Sequence, residues 1–378
     1  MKALLIGGSN GIGLAVAEGL HRLGWQITIL DMQKPAEGTY DHFFFDLRYP
    51  DMDLLADLKN SHDLLFVSAG IGYVGSFKDM HPGQVRKIME VDAANTIAVL
   101  KVFYDRIAGD RPYYCGVMTS IAGMLSSPLC AVYGAAKAAL CRFIESVNIE
   151  LEMDGSVNRI LNVAPAAFKG SRFEGGENDL ELLRPLAAQI IERMFRSDTV
   201  YIPEYENRFR DILKQQHEDP HAYGLHSYEY KKASGRIGRI KPVIGYLSGT
   251  FDLFHVGHVN IFKRAKQQCD YLIVGVHRSG DWKGKETFIP FEERMQMVAS
   301  CRYVDEVVGC PDEDDDAYAL YHFDRLFVGS DYQGSERFRR YEEFFKDKDV
   351  KIVYFPYTEC TSSTKIRNKI IERTLHER

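Results

Sequence analysis

Cysteine is scarce in this chain: seven among 378 residues, an odd number, with no Cys-x-x-Cys pair. That argues against a disulfide framework or a zinc site, and it fits a reducing compartment. No apolar run is long enough to cross a bilayer, so membrane insertion is not expected. Neither sign of charge dominates. Lysine and arginine total 47 against 53 acidic side chains, a net of −6, so the basic footprint of a nucleic-acid binder is missing. The chain opens directly on a buried-strand pattern at residues 2–6, from which a cytoplasmic protein without a cleavable leader is expected.

What is present is apolar punctuation for two domains. A length of 378 residues exceeds the usual single core. Short apolar runs at 3–6, 26–30, 42–45, 64–67, 113–119, 158–163 and 199–202 alternate with helical patterns, including 11–23 and 181–196. Alternation of this kind implies parallel strands with right-handed crossovers, an α/β doubly wound sheet. From 216 to 241 the pattern dissolves into His, Tyr, Lys, Gly and Arg, read as a linker. It restarts at 242–247, with further strands at 271–276, 306–308, 325–328 and 351–355. The expectation is therefore two Rossmann-like domains, 1–215 and 242–378, joined by a linker at 216–241.

Gly7-Gly8-Ser9-Asn10-Gly11-Ile12-Gly13 falls where the first strand turns into the first helix. Missing side chains let a pyrophosphate approach the backbone, and the helix presents its amides to the anion. Asp31, ending the second strand, is placed to bond the adenosine ribose hydroxyls and to repel a 2′-phosphate, which favours NADH while leaving NADPH open. Tyr133 and Lys137 lie four apart on one helical face. The ammonium is expected to lower the phenol's pKa so that Tyr133 exchanges a proton with a carbonyl oxygen, and Ser120 can bond that same oxygen. Taken singly, these residues read equally well as a turn, an interfacial tyrosine, a solvated lysine and a strand-end serine.

Residues 1 to about 215 resemble a short-chain dehydrogenase/reductase, including Ser68-Ala69-Gly70 and Thr119-Ser120-Ile121-Ala122-Gly123. The resemblance implies a nicotinamide cofactor, a catalytic set of Ser120, Tyr133 and Lys137, and Asp46 near the adenine. The family's helix asparagine, which holds a water relay to the lysine, falls on Asp92, with Asn95 nearby as a substitute. The usual Pro-Gly after the sixth strand is Pro165-Ala166. Lys169, Arg172 and Arg184, in the substrate-lid segment, are candidates to meet a substrate phosphate.

The second signature is Gly249-Thr250-Phe251-Asp252-Leu253-Phe254-His255-Val256-Gly257-His258. Histidines three apart at a helix start invite a metal, but no third Cys or His ligand lies at supporting spacing. They read as helix caps, or as donors facing charge that grows on phosphate oxygens. Ser362, Ser363 and Thr364 offer a phosphate cradle or a plain N-cap. Arg294 is placed to hold a phosphate or to pair with Glu292 or Glu293. The run Asp312-Glu313-Asp314-Asp315-Asp316 reads as a solvated surface loop.

Residues 243–372 resemble a cytidylyltransferase of the glycerol-3-phosphate type. The shared pieces are the HxGH stretch, Arg302-Tyr303-Val304-Asp305-Glu306-Val307, Val328-Gly329-Ser330-Asp331 and Thr361-Ser362-Ser363-Thr364-Lys365-Ile366. The resemblance implies CTP with Mg²⁺ and direct attack of a substrate phosphate on the α-phosphorus. His255 and His258 then stabilise the transition state, and Lys283 (or Lys285) contacts phosphate. The nucleotide set it implies is Gly249, Thr250, Phe251, His255, His258, Lys283, Asp331, Thr358, Ser362, Ser363 and Thr364. Tyr357 stands before Thr358-Glu359 where that enzyme carries an arginine, which bears on the acceptor's identity.

Together the halves predict a bifunctional enzyme of CDP-activated polyol synthesis for a bacterial surface polymer. It would use a keto-sugar phosphate or polyol phosphate, CTP and NADH, and form a homo-oligomer (dimer or tetramer). The rival expectations are a non-catalytic NAD(H)-binding module beside the transferase, and an adenylyltransferase in place of a cytidylyltransferase.

Overall fold

The computed structural model describes residues 1–36, 38, 40–168, 170, 178–235, 237, 242–279, 287–356, 363, 365–367 and 369. The chain divides into two compact units, Met1–Ile240 and Lys241–Arg378. Among the described residues, no helix is long and apolar enough to cross a membrane.

The first unit holds an all-parallel sheet of β1 (Lys2–Ile6), β2 (Gln26–Asp31), β3 (Asp41–Phe44), β4 (Leu64–Val67), β5 (Tyr114–Met118), β6 (Ile160–Val163) and β7 (Val200–Tyr201). Their order is β3-β2-β1-β4-β5-β6-β7. Side chains alternate between the faces, as the pleat requires. Leu4, Ile6, Leu65 and Val67 enter one core, and Ala3, Leu5, Leu64 and Phe66 the other. Helices α1 (Gly11–Arg22), α2 (Met52–Lys59), α3 (Pro82–Met89), α4 (Asn95–Ile107), α5 (Ala131–Met153) and α6 (Leu180–Phe195) cover both faces. A sheet buried on both sides explains why its strands read as continuous apolar runs.

The structure differs from the linker reading of 216–241. Two helices, α7 (Arg210–Glu218) and α8 (Pro220–Ala233), occupy most of that segment and belong to the first unit. Asp219 caps α8 by accepting from the Ala222 amide at 2.9 Å, with Pro220 in its first turn.

The second unit repeats the plan with five parallel strands: β8 (Ile244–Gly249), β9 (Tyr271–Val276), β10 (Glu306–Gly309), β11 (Arg325–Gly329) and β12 (Lys351–Phe355), ordered β10-β9-β8-β11-β12. Leu272, Val274 and Val276 face one core, and Tyr246 and Ile273 the other. Its helices are α9 (Val256–Lys266), α10 (Phe291–Ala299), α11 (Asp314–Tyr321) and α12 (Glu336–Phe345). Both units are thus Rossmann-like doubly wound sheets. In each, strand order reverses beside the first strand, at β1/β4 and at β8/β11. Ligands of open α/β sheets bind outside the carboxyl ends of the strands at such reversals.

Candidate active sites

The first reversal is built from backbone. Gly7 sits at φ +90°, and a Cβ there would lie 2.3 Å from the Ala69 nitrogen. A Cβ on Gly13 would lie 2.3 Å from Ser68 Oγ. The turn after β1 therefore packs directly on Ser68-Ala69-Gly70 after β4, and Ser68 Oγ donates to the Gly7 carbonyl at 2.9 Å. Asn10 stands at the N-cap of α1 without a capping hydrogen bond, and the first turn carries no acidic residue. Ile12 packs on the core behind it. A helix start without a side-chain cap behind a glycine-rich turn fits a pyrophosphate. Asp31 accepts from the Ser9 and Gln33 amides at 3.1 Å each, which fixes its carboxylate beside that turn. Asp46 is buried in a bidentate pair with Arg48, with contacts of 2.7–3.1 Å.

The candidate catalytic set converges. Ser120 caps the turn that follows β5, accepting from the Ala122 amide at 3.1 Å, and its hydroxyl hydrogen-bonds the Tyr133 phenol. Tyr133 and Lys137 lie on α5, both buried, with the ammonium 5.7 Å from the ring centroid. Lys137 Nζ also donates to the Met118 carbonyl at 3.1 Å.

Asp92 changes the electrostatics. It lies in a π-helical turn, Glu90–Ala94, between α3 and α4, and is 0% exposed. Wide turns of this type recur at functional positions. Its carboxylate accepts from the Ile71 amide at 3.1 Å and pairs with Lys137 Nζ at 3.0 Å. Burial alone would lower the Lys137 pKa, but Asp92 and Tyr133 override it and raise it. Lys137 is thus held charged, as half of an internal pair. The expected lowering of the Tyr133 pKa does not result. Burial pushes the phenol up, Asp92 adds to it, and the pull of Lys137 and Ser120 is smaller. Asn95 is no substitute for the relay asparagine, because its amide donates to the Leu47 and Arg48 carbonyls at 2.8 and 3.1 Å. Arg184 pairs with Glu181 and Glu18 rather than standing free for a phosphate. Lys169 and Arg172 lie outside the described residues.

The second reversal is built from side chains. Gly249 ends β8, and the following loop holds Phe251 and Leu253 at φ +52° and +49°. Non-glycine residues there cost backbone energy, a feature that clusters at functional sites. The loop delivers His255 to the N-cap of α9. Gly257 N donates to His255 Nδ1 at 3.0 Å, and His255 N donates to His258 Nδ1 at 3.4 Å. The rings stack with centroids 4.0 Å apart, and Phe251 packs edge-on against His258. The two histidines do cap the helix, and the cap sets their chemistry. With each Nδ1 accepting, a neutral ring carries its proton on Nε2. Burial lowers both pKa values, that of His258 to about 3 with His255 adding to the effect. Two neutral N–H donors therefore stand at a helix N-terminus, suited to phosphate oxygens.

Asp252 anchors this loop, a role that motif reading alone did not assign. Its buried carboxylate accepts from Phe288 N and Ile289 N, the latter at 3.0 Å, and pairs with Arg367 at 2.6 Å. Burial opposes its charge, but these partners hold its pKa below the ordinary carboxylate value. Ser363 Oγ donates to the Asp252 carbonyl at 2.8 Å, which ties Ser363 to the HxGH loop. Asp331 is exposed in a short turn just past β11, across the strand reversal.

Arg294 neither waits for phosphate nor pairs with its neighbouring glutamates. Its fully buried guanidinium donates to the carbonyls of Ile289, Thr250, His277 and Arg278. The acidic run is no solvated loop either. Asp314 starts α11, is buried, and accepts from Ser248 Oγ at 2.7 Å, while Arg337 and Arg340 pair with Glu313. Lys283, Lys285, Thr358, Ser362 and Thr364 lie outside the described residues. Among those described, no cluster of three or more His, Cys, Asp or Glu is placed to hold a metal ion. An Mg²⁺ ion arriving with a triphosphate is held largely by phosphate oxygens and water, which this donor set accommodates.

Fold and sites together define an α/β protein of two Rossmann-like units, each with a candidate site at its strand reversal. A cytidylyltransferase-like family model matches residues 246–369, and a short chain dehydrogenase model matches residues 54–179. The glycerol-3-phosphate cytidylyltransferase of Staphylococcus aureus (strain NCTC 8325 / PS 47) is 35% identical over 136 residues, covering 35% of this chain and 96% of that protein. Its counterpart in Bacillus subtilis (strain 168) is 36% identical over 135 residues, with 35% and 98% covered. A solved short chain dehydrogenase from Burkholderia cenocepacia J2315, in complex with NADP, aligns with a TM-score of 0.51 at 18% identity. It covers 60% of this chain and 96% of that one, a likeness of fold. The chain belongs to the glycerol-3-phosphate type of cytidylyltransferase through its second unit, and it fuses to that unit a domain that matches the short chain dehydrogenase model.

Proposed function

We propose that the protein is a bifunctional enzyme of CDP-activated polyol synthesis. The first site reduces a small keto-sugar phosphate, or its CDP derivative, with NADH. The second transfers a cytidylyl group from CTP to the polyol phosphate and releases pyrophosphate. The observation that carries this reading is one chain with both a converged Ser120–Tyr133–Lys137 set and a stacked His255–His258 pair, each at a strand reversal.

A nicotinamide held at the first site would supply a hydride to the carbonyl carbon. Ser120 bonds the carbonyl oxygen, and Tyr133 gives that oxygen its phenolic proton. A phenol kept protonated by burial suits this reductive direction, and Lys137 stabilises the phenolate that forms. The Asp31 carboxylate at the end of β2 favours NADH over NADPH, because it can accept from ribose hydroxyls and repels a 2′-phosphate. In the second site an oxygen of the acceptor phosphate attacks the α-phosphorus, and the bond to pyrophosphate breaks. His255 and His258 donate from Nε2 to the oxygens on which charge grows. By analogy with precursors of that kind, we infer a role in making a bacterial cell-surface polymer from the cytoplasm, and by resemblance to both families a homo-oligomer of two or four copies.

The test is mass spectrometry of products formed from CTP, Mg²⁺, NADH and a panel of three- to six-carbon ketose phosphates, each nucleotide omitted in turn. A CDP-polyol that needs both nucleotides is the expected product. One observation favours a second reading, a silent NAD(H)-binding module: Lys137 is already paired with Asp92. CDP-linked product formed at the same rate without NADH, and no NADH oxidation with any ketose, would select that reading.

A further inference from the structure

The segment between Ser120 and Tyr133 is held by helices that sequence alone does not connect to it. Leu129 sits at φ +62°, a conformation leucine rarely adopts, one residue before the N-cap of α5. Such a residue persists only where its surroundings over-determine it. On one side the Gly75 amide donates to the Leu129 carbonyl at 2.7 Å. On the other side the contacts come from α7 and α8. Gln216 Oε1 accepts from the Ser126 amide at 2.9 Å, and its Nε2 donates to Ser126 Oγ at 3.2 Å. Lys231 Nζ donates to the Pro128 carbonyl at 3.0 Å. Cys130 follows, buried, and its carbonyl accepts from the Gly134 amide at 2.7 Å beside Tyr133.

We propose that Gln216 and Lys231 are positioning residues of the first site. Together they clamp residues 126–129, which sets the start of α5 and with it the reach of Tyr133 toward Ser120. The proposal rests on the reading of the first site as a reductase. The clamp explains why α7 and α8 belong to the first unit although they bury almost nothing of their own. Among their residues only Ser227 of α8 is buried, so polar contacts rather than an apolar stripe carry the docking. The surface between α8 and the clamped segment is lined by Ser126, Pro128, His221, Gly224, Leu225 and Tyr228.

The test uses full-length Gln216→Ala, Lys231→Met and Lys231→Arg. Iodoacetamide labelling of Cys130, read by peptide mass spectrometry, reports whether the segment is held. NADH oxidation with dihydroxyacetone phosphate and ribulose 5-phosphate as probes gives kcat and KM separately. NADH binding is followed by fluorescence, and cytidylyl transfer to glycerol 3-phosphate serves as the internal control. Gln216→Ala and Lys231→Met are expected to speed Cys130 labelling and lower the reductase kcat, each by about tenfold, with NADH affinity and cytidylyl transfer unchanged. Lys231→Arg should restore both. Labelling at the wild-type rate, an unchanged kcat, or a loss shared equally with cytidylyl transfer would overturn the clamp. If the wild type oxidises no NADH with either probe, the reductase reading fails for these substrates, and the labelling result alone decides the clamp.

Discussion

The two sites stand at equivalent positions of two sheets with the same strand order, yet they finish the first helix in opposite ways. At α1 the N-cap makes no side-chain capping bond and the turn is rich in glycine, an arrangement suited to an anion. At α9 an imidazole caps the amides, and the rings behind it present their own N–H donors. Charge is arranged oppositely as well. The first site buries Lys137 in an ion pair with Asp92, whereas the second holds two half-buried rings that are neutral. A shared scaffold therefore fixes where a nucleotide site lies, and the finish of one helix turn decides which part of a nucleotide it can serve. A bare turn suits a pyrophosphate that stays intact. A histidine cap suits a phosphate that is being broken.

Substitutions at the chemistry should separate the sites most widely. His258→Ala is expected to lower cytidylyl transfer by roughly 10²–10³-fold, the scale of losing one oriented donor, with NADH oxidation intact. Tyr133→Phe should do the converse, by about 10²–10⁴-fold. Parallel assays of both half-reactions on each variant check this, and a loss that crosses between sites would break the comparison.

The buried pair comes next. Asp92→Ala leaves Lys137 charged and buried without its carboxylate, which should cost about 3–5 kcal/mol in a denaturant melt of the first unit. Asp92→Asn keeps a partner for Ile71 while removing the charge. It should move the Tyr133 limb of the pH–rate profile to lower pH, since Asp92 is one of the groups that hold the phenol up. A profile that does not move would mean that the pair is structural only.

Arg367→Ala should lower cytidylyl transfer by about tenfold, because a loosened Asp252 no longer fixes the HxGH loop. Steady-state kinetics would show the loss chiefly in kcat.

The last test is a pH slope. His258 has a folded pKa of about 3, below its unfolded value, so the fold favours the neutral ring. Its contribution is complete above about pH 6.5 and declines as pH falls from there toward 3, by about 1.4 kcal/mol per pH unit. Melts of wild type and His258→Gln across that range should converge toward low pH. Parallel curves would show that the ring is protonated in the fold.

Much of the fold was legible because fully buried parallel strands leave apolar runs that need no partner to be seen. Leu64–Val67, buried at every position, is the clearest case. The helices at 210–233 were not legible, since they bury almost no apolar side chain and so print no stripe. The acidic run misled for a related reason. Like charges read as solvated, and the arginines that offset them lie more than twenty residues away on α12. At the sites, motif spacing picked out Ser120, Tyr133, Lys137, His255 and His258, which the structure brings together as two sets. It did not assign roles to Asp252 and Arg367, whose link spans 115 residues and follows no local period.

The sequence by itself determined the two parallel-sheet domains, the glycine turn, the tyrosine–lysine face and the histidine turn. These are local patterns, set by strand burial, backbone freedom and helix periodicity over a few residues. Only the tertiary structure decided that Asp92 pairs with Lys137, that the histidines are neutral with their protons outward, that Arg294 binds backbone, and that α7 and α8 grip the segment before Tyr133. Each of those depends on which distant group fills a buried hydrogen-bonding or charge requirement, and chain spacing carries no record of that choice.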